Sequence, residues 1–157
     1  MNMSRIPSLF IFAILLGLSA GLALAAENGH SVVAPDEVEW QEGPDFIEPG
    51  AELALLAGDP AEGAFTARLR LPAGYDIHSH YHTGNKYLTV ISGALHIGFG
   101  DELDKSQGMK VSAGSFVKVP PNHNHYEWFE EETVLQVHVV DPFEVIYVDP
   151  ERDPRNQ

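Results

Sequence analysis

The chain has 157 residues, no cysteine, and 9 basic against 23 acidic residues, a formal charge of −14 at pH 7. That length is enough for one domain with a core of its own. The missing cysteine excludes disulfides, thiolate metal sites, a cysteine nucleophile and a lipid anchor on an N-terminal cysteine, and the acidic balance argues against nucleic acid and anionic membranes as partners.

Met1–Arg5 carries one positive charge, and Ile6–Ala26 is uncharged and mostly apolar, ending in Ala23-Leu24-Ala25-Ala26. This pattern predicts a signal peptide over residues 1–26, cut at an A-x-A site. The alternative is an uncleaved anchor, since roughly 18 or more apolar residues can span a bilayer; the strongly apolar core Leu9–Leu18 is short for that. The expected location is the periplasm or the exterior, without membrane contact after cleavage. Residues 27–37 are polar, with Gly29 and Pro35, and read as an N-terminal linker. Residues 150–157, PERDPRNQ, read as a charged C-terminal tail that frays.

Residues 38–149 form the predicted domain. Its strand-like segments are short and separated by turn residues. They are Leu53–Leu56, Phe65–Leu71, Lys86–Ile91, Ala94–Phe99 after the tight turn Ser92-Gly93, Ser115–Val119, Tyr126–Phe129, Thr133–Val140 and Phe143–Val148. No long stretch has a helical period, so the pattern predicts an all-β sandwich or barrel.

The chain has eight histidines, seven of them within this frame and His30 in the linker. Residues two apart on a strand share a face, so His78, His80, His82 and Lys86 could all point inward if the backbone there is extended. A pair of imidazoles side by side suits one divalent metal, with a third ligand from a later segment such as His125. By itself H-x-H is weak, because histidine clusters also occur in solvated turns.

The surrounding residues sharpen this. Gly74, five residues, His80, one, His82, three, Lys86, six, Gly93 resembles the first cupin motif, G-x5-H-x-H-x3-E-x6-G. Gly114, five residues, Pro120, one, Asn122, two, His125, three, Phe129 resembles the second, G-x5-P-x-G-x2-H-x3-N. The likeness runs from Trp40 to Asp149, in the manner of small secreted bacterial single-domain cupins. It implies a double-stranded β-helix, a jelly-roll barrel, with one divalent transition metal (Fe, Zn, Cu, Mn or Ni) on His80, His82 and His125. Lys86 replaces the usual glutamate ligand, Asn122 the glycine and Phe129 the asparagine of the second motif.

The resemblance implies a metal-binding cupin, with a dioxygenase-like oxygenase or a related lyase or isomerase as the enzymatic reading. The alternatives are a non-catalytic periplasmic module for a small ligand or a metal, and a cupin with a vestigial site. The expected partner is a small organic molecule, anionic ones included. A homodimer paired through Val33–Trp40 and Phe143–Val148 is a further expectation, because open strand edges invite pairing. His78, His123 and His138 are candidates for contacting substrate or supporting a ligand. His78 is expected on the solvent side of the rim, and His138 either reaches the site or is a satisfied core residue. Tyr87, Phe99, Tyr126, Trp128 and Phe129 are expected in the core, some of them lining an apolar pocket above the metal. For Lys86 the first expectation is a position at the barrel mouth, its stem carrying the charge to water. The other two are a pair with Asp76 or Glu127, and an anchor for an anionic substrate.

Competing chemistries lack their patterns. No serine sits in G-x-S-x-G, no glycine-rich loop carries a phosphate-binding lysine, and GFGDELD lacks calcium-loop spacing. The exported protein should begin near Ala26 or Glu27. N-terminal sequencing of the fractionated protein checks this, and an intact Met1 in the membrane pellet would establish the anchor instead.

Overall fold

A strand with one face on the core and the other in water alternates apolar and polar side chains. Phe65–Leu71, FTARLRL, does so: Ala67 and Leu71 are buried, and Arg68 and Arg70 lie on the opposite face. The computed structural model describes residues 30–157, and the predicted leader over 1–26 lies outside the described residues. In chain order the strands are β1 (Gln41–Glu42), β2 (Glu52–Gly58), β3 (Phe65–Leu71), β4 (Tyr75–His82), β5 (Lys86–Ser92) and β6 (Ala94–Phe99). They are followed by β7 (Met109–Ser112), β8 (Phe116–Val119), β9 (His125–Phe129), β10 (Thr133–Val139) and β11 (Val145–Tyr147).

The strands form two antiparallel sheets, β1-β2-β3-β10-β5-β8 and β11-β4-β9-β6-β7. From β3 onward each step along the chain crosses from one sheet to the other, except β6 to β7, which pair together. This winding is the double-stranded β-helix expected from the motifs. Leu71, Leu88, Leu95, Ile97, Phe129 and Leu135 fill the space between the sheets. Tyr126 and Trp128 point the other way, yet both are buried. The loop after β6 covers them: Tyr126 OH donates to Asp104 O at 2.9 Å, and Gly108 lies so close to the Trp128 ring that a Cβ there would overlap it.

The tight turn at Ser92-Gly93 is a corner and not a hairpin, because β5 and β6 belong to different sheets. Gly93 has φ +71°, and a Cβ there would lie 2.6 Å from Thr133 Oγ1 and overlap the backbone of Glu132. Thr133 Oγ1 accepts from Ala94 N at 3.2 Å, so the corner is tied to the start of β10. Asn122, standing where the motif has glycine, takes φ +57°, a conformation asparagine tolerates better than most residues.

Three strands were not expected from the pattern. β4 is built of YDIHSHYH, whose polar residues hide the apolar alternation; β1 and β7 have only two and four residues. Val33–Trp40 contains a 3-10 turn, Pro35–Glu37, and no strand; Trp40 packs under Arg70, whose guanidinium lies 4.0 Å from the ring centroid. The tail also departs from expectation. Pro150–Arg152 and Pro154–Asn156 are 3-10 turns capped by Asp149 and Asp153, and Arg155 Nη2 donates to Val145 O at 2.9 Å. The tail thereby covers part of the β11 edge, one way in which proteins blunt an open strand.

Gly93→Ala should lower the stability of the fold by at least about 2 kcal/mol, from left-handed strain plus backbone overlap. Asn122→Gly should stay within about 0.5 kcal/mol of wild type. Denaturant melts of both variants check this, and a wild-type midpoint for Gly93→Ala would mean that the corner is loose.

Candidate functional site

An irregularity in β4 sorts its histidines. Ile77 stands opposite Glu127 on β9 while His80 stands opposite His125, so three steps on β4 match two on β9. This is a β-bulge, which re-aims the side chains beyond it. Before it, Tyr75 and Ile77 are buried; after it, His80 and His82 are. His78 has the parity of His80, but the bulge leaves its ring only half-buried, on the solvent side. It serves through its backbone, because His80 Nδ1 donates to His78 O at 2.7 Å. His123, whose ring is exposed, does the same for the later histidine: His125 Nδ1 donates to His123 O at 2.9 Å. Fixing Nδ1–H in this way leaves the Nε2 lone pair free, as in metal-ligating histidines oriented by a second hydrogen bond.

His80, His82 and His125 converge. Their ring centroids are 4.3 Å apart for His80–His125, 4.8 Å for His80–His82 and 4.9 Å for His82–His125. One ligand atom from each lies within 4.8 Å of the other two. His125 Nε2 has no hydrogen-bond partner, and neither nitrogen of His82 has a well-formed one; the backbone of Glu144 approaches His82 only loosely. Buried polar atoms left unpaired are costly and uncommon. Three buried imidazoles with free nitrogens aimed at one another are a donor set that fits a divalent transition ion, and imidazole suits Zn, Cu, Fe and Ni.

The first expectation for Lys86 is overturned. The side chain does not reach the mouth. It is buried on β5 and its Nζ lies 2.9 Å from Glu127 Oε1, with the two side chains 7% and 4% exposed. Asp76, the other candidate partner, pairs with Lys105 at 2.7 Å instead. The pair joins the two sheets across the barrel and stands beside the histidines, with Glu127 Oε1 3.9 Å from His125 Nε2. Burial would raise the Glu127 pKa, but the Lys86 ammonium, with smaller contributions from His125 and His80, brings it down to about 2. Burial first, and Lys86 second, push His80 down to about 4 and His125 to about 3. His82 is lowered well below 6.5 by the same two causes. The imidazoles are therefore neutral at neutral pH and able to donate lone pairs.

His80, His82, Lys86 and Glu127 form the polar end of an apolar cavity of about 60 Å³. Phe46, Leu69, Leu135 and Val137 are among its walls. Phe143 closes it at the cluster, stacked on His82 at 4.5 Å between centroids and edge-on to Phe65 at 6.2 Å. None of Tyr87, Phe99, Tyr126, Trp128 and Phe129 lines this cavity; Phe99 is exposed and Tyr87 stacks with Phe116 on the outer face. His138 does not reach the site either. It lies exposed on the outer face of β10, 2.8 Å from Thr66 Oγ1, because its neighbours Val137 and Val139 take the inward positions.

The ChrR cupin-like domain family matches residues 28–144. The chain belongs to that family. Solved cupins and related proteins share the barrel at low identity. A putative acetylacetone dioxygenase from Methylibium petroleiphilum is 22% identical with a TM-score of 0.61, over 82% of this chain and 88% of that one. An acetylacetone dioxygenase from Acinetobacter johnsonii is 18% identical with a TM-score of 0.61, over 82% and 83%. The polyketide cyclase RemF from Streptomyces resistomycificus is 16% identical with a TM-score of 0.62, over 81% and 91%. At these identities the likeness concerns the fold. No curated protein matches the chain.

Within this cupin, sequence reasoning named Glu127 only as one acid that Lys86 could meet. The available signal was its place two residues after His125 on a strand, which puts both on one face. Phe143 had no comparable signal, because its contact with His82 depends on where the segment between β10 and β11 lies.

A histidine kept neutral by the fold makes the metal-free cupin acid-sensitive. The unfolded chain takes up a proton near pH 6.5, whereas folded His80 does so only near pH 4. Stability is therefore lost as pH falls through this window, by about 3 kcal/mol for His80 alone. Glu127, whose pKa is lowered to about 2, contributes further loss only below about pH 4.5. Urea melts at pH 7 and pH 5 should show a marked drop in wild type and a smaller one in His80→Asn. Equal stability at the two pH values would contradict the buried, neutral imidazole.

Proposed function

We propose that the chain is an exported, metal-dependent cupin that acts on a small oxygenated organic molecule, with oxygenase chemistry the first class to test. The observation that carries this reading is the convergence of His80, His82 and His125, with Nδ1 of two of them tied to backbone carbonyls and their Nε2 atoms turned toward the cluster. A divalent ion bound there supplies Lewis-acid or redox chemistry at a position open to substrate.

The chain's own residues suggest what that substrate is. The apolar walls exclude water and bind a compact apolar body, and the polar end receives its oxygen atoms. About 60 Å³ of free space calls for a small molecule or for movement of Phe143. Glu127 already neutralises Lys86, so the lysine offers no uncompensated charge to an anion. A neutral or weakly acidic carbonyl compound fits these surroundings better than a permanent anion. Acetylacetone dioxygenases and a polyketide cyclase share the barrel, which supports small carbonyl compounds as the first panel.

Elemental analysis of the protein purified from its native compartment should find close to one transition metal ion per chain. His80→Ala, His82→Ala and His125→Ala should each lose most of it while remaining folded, and His30→Ala should lose none. An oxygen electrode with acetylacetone and related 1,3-dicarbonyls then tests turnover. Equal metal content in wild type and His125→Ala would falsify the metal reading; full metal content without oxygen uptake would leave a binding module.

A further inference from the structure

We propose that Glu127 is the carboxylate ligand of the three-histidine site, supplied from the strand that faces Lys86 and not from the motif position that Lys86 holds. The inference rests on the metal reading above and names a fourth donor for it.

Three observations meet here. The motif position that would carry a carboxylate holds Lys86, and this lysine is buried beside the cluster. Glu127 is the one buried carboxylate among the described residues. It sits on β9 two residues beyond His125, and its Oε1 is 3.9 Å from His125 Nε2, a nitrogen without a hydrogen-bond partner. The carboxylate lies beside the gathered ligand atoms of the three histidines and not among them, so it reaches an ion there by turning its side chain from Lys86 toward His125.

The Lys86 pair accounts for the burial of Glu127, and the charge of a bound ion gives the same carboxylate a second use. Asp and Glu are almost never fully buried unless they are paired or coordinate a metal. Three neutral imidazoles supply no negative charge, and an ammonium beside a dication is repelled. A carboxylate next to both resolves this, because it has two oxygens with about four acceptor positions, of which Lys86 uses one. Lys86 cannot ligate while protonated. Its part is to hold Glu127 ionised and aimed into the barrel, and then to share it with the ion. Lys86→Glu alone does not isolate the effect, since it would place a second buried carboxylate against Glu127.

The test uses Co²⁺ as the probe, read by the visible spectrum and by titration calorimetry on the leaderless full domain. Lys86→Met/Glu127→Gln removes both charges together and keeps similar shapes, a change that buried pairs often tolerate. If Glu127 is a ligand, this double variant should bind Co²⁺ at least about tenfold more weakly than wild type and shift the visible bands, a loss of the size seen when groups at a metal site are removed. Lys86→Glu/Glu127→Gln, which moves the carboxylate to β5, should recover most of that affinity. If Glu127 only neutralises Lys86, the uncharged double variant should match wild type within about twofold with unchanged bands, and that result overturns the proposal. A wild-type chain that binds no Co²⁺ overturns both the metal reading and this assignment; wild-type binding with unaffected variants overturns this assignment alone.

Discussion

A charge enters a dry barrel only in company, and the Lys86–Glu127 pair is the constraint around which this barrel is arranged. Each partner comes from a different sheet, β5 and β9, so the pair closes across the core. Removing one partner of such a pair typically costs about 3–5 kcal/mol, because the other is left buried and uncompensated. The consequence reaches the histidines. The ammonium lowers their proton affinity in concert with burial, while the carboxylate keeps the region near electroneutrality. The result is three neutral imidazoles beside a carboxylate, a set of lone pairs in a place where water is scarce.

Geometry does the rest through one irregularity. A regular β4 would send His78, His80 and His82 to one face. The bulge between Ile77 and His80 keeps Ile77 in the core, moves the two ligand candidates inward after it, and leaves His78 outside. Its carbonyl is then in position to take the Nδ1 proton of His80. His123 stands in the same relation to His125, although no bulge is involved. Two unrelated stretches of chain thus orient an imidazole with the carbonyl two residues upstream, and each histidine pair two apart divides its work between ring and backbone.

This explains what the sequence made legible. The pattern of short strands was enough for an all-β sandwich or barrel, and the resemblance of the glycine and histidine spacing to the two cupin motifs implied the double-stranded β-helix and the grouping of His80, His82 and His125. His78 lies on the solvent side as expected, although parity by itself would turn it inward with His80, since a bulge adds one residue without leaving a compositional mark. Parity also failed to settle His138, because alternation tells which residues share a face without telling which face is inside. Lys86 was placed at the mouth by a rule for single charges, that a long stem carries its ammonium to water. The rule gives way when a partner is available, and the partner lay 41 residues away in sequence.

The cavity wall beside His82 shows the same economy. Phe143 lies outside any strand, in the segment joining β10 and β11, and its ring stacks on His82 at an interplanar angle of 25°. Thr83 holds that segment from below: its hydroxyl donates to Pro142 O at 3.3 Å and accepts from Glu144 N at 3.0 Å. Gly84 sits beneath the same loop, where a Cβ would press on Pro142 O at 3.2 Å. The two residues that follow His82 therefore set the height of the loop that covers it. Aromatic stacking satisfies the face of the imidazole but gives its nitrogens nothing, so the lid makes the site dry without competing for its lone pairs. Segments held by a few exposed hydrogen bonds open at lower free energy than core strands. A cover of this kind can admit a small ligand while β4 and β9, which carry the three imidazoles, stay in register.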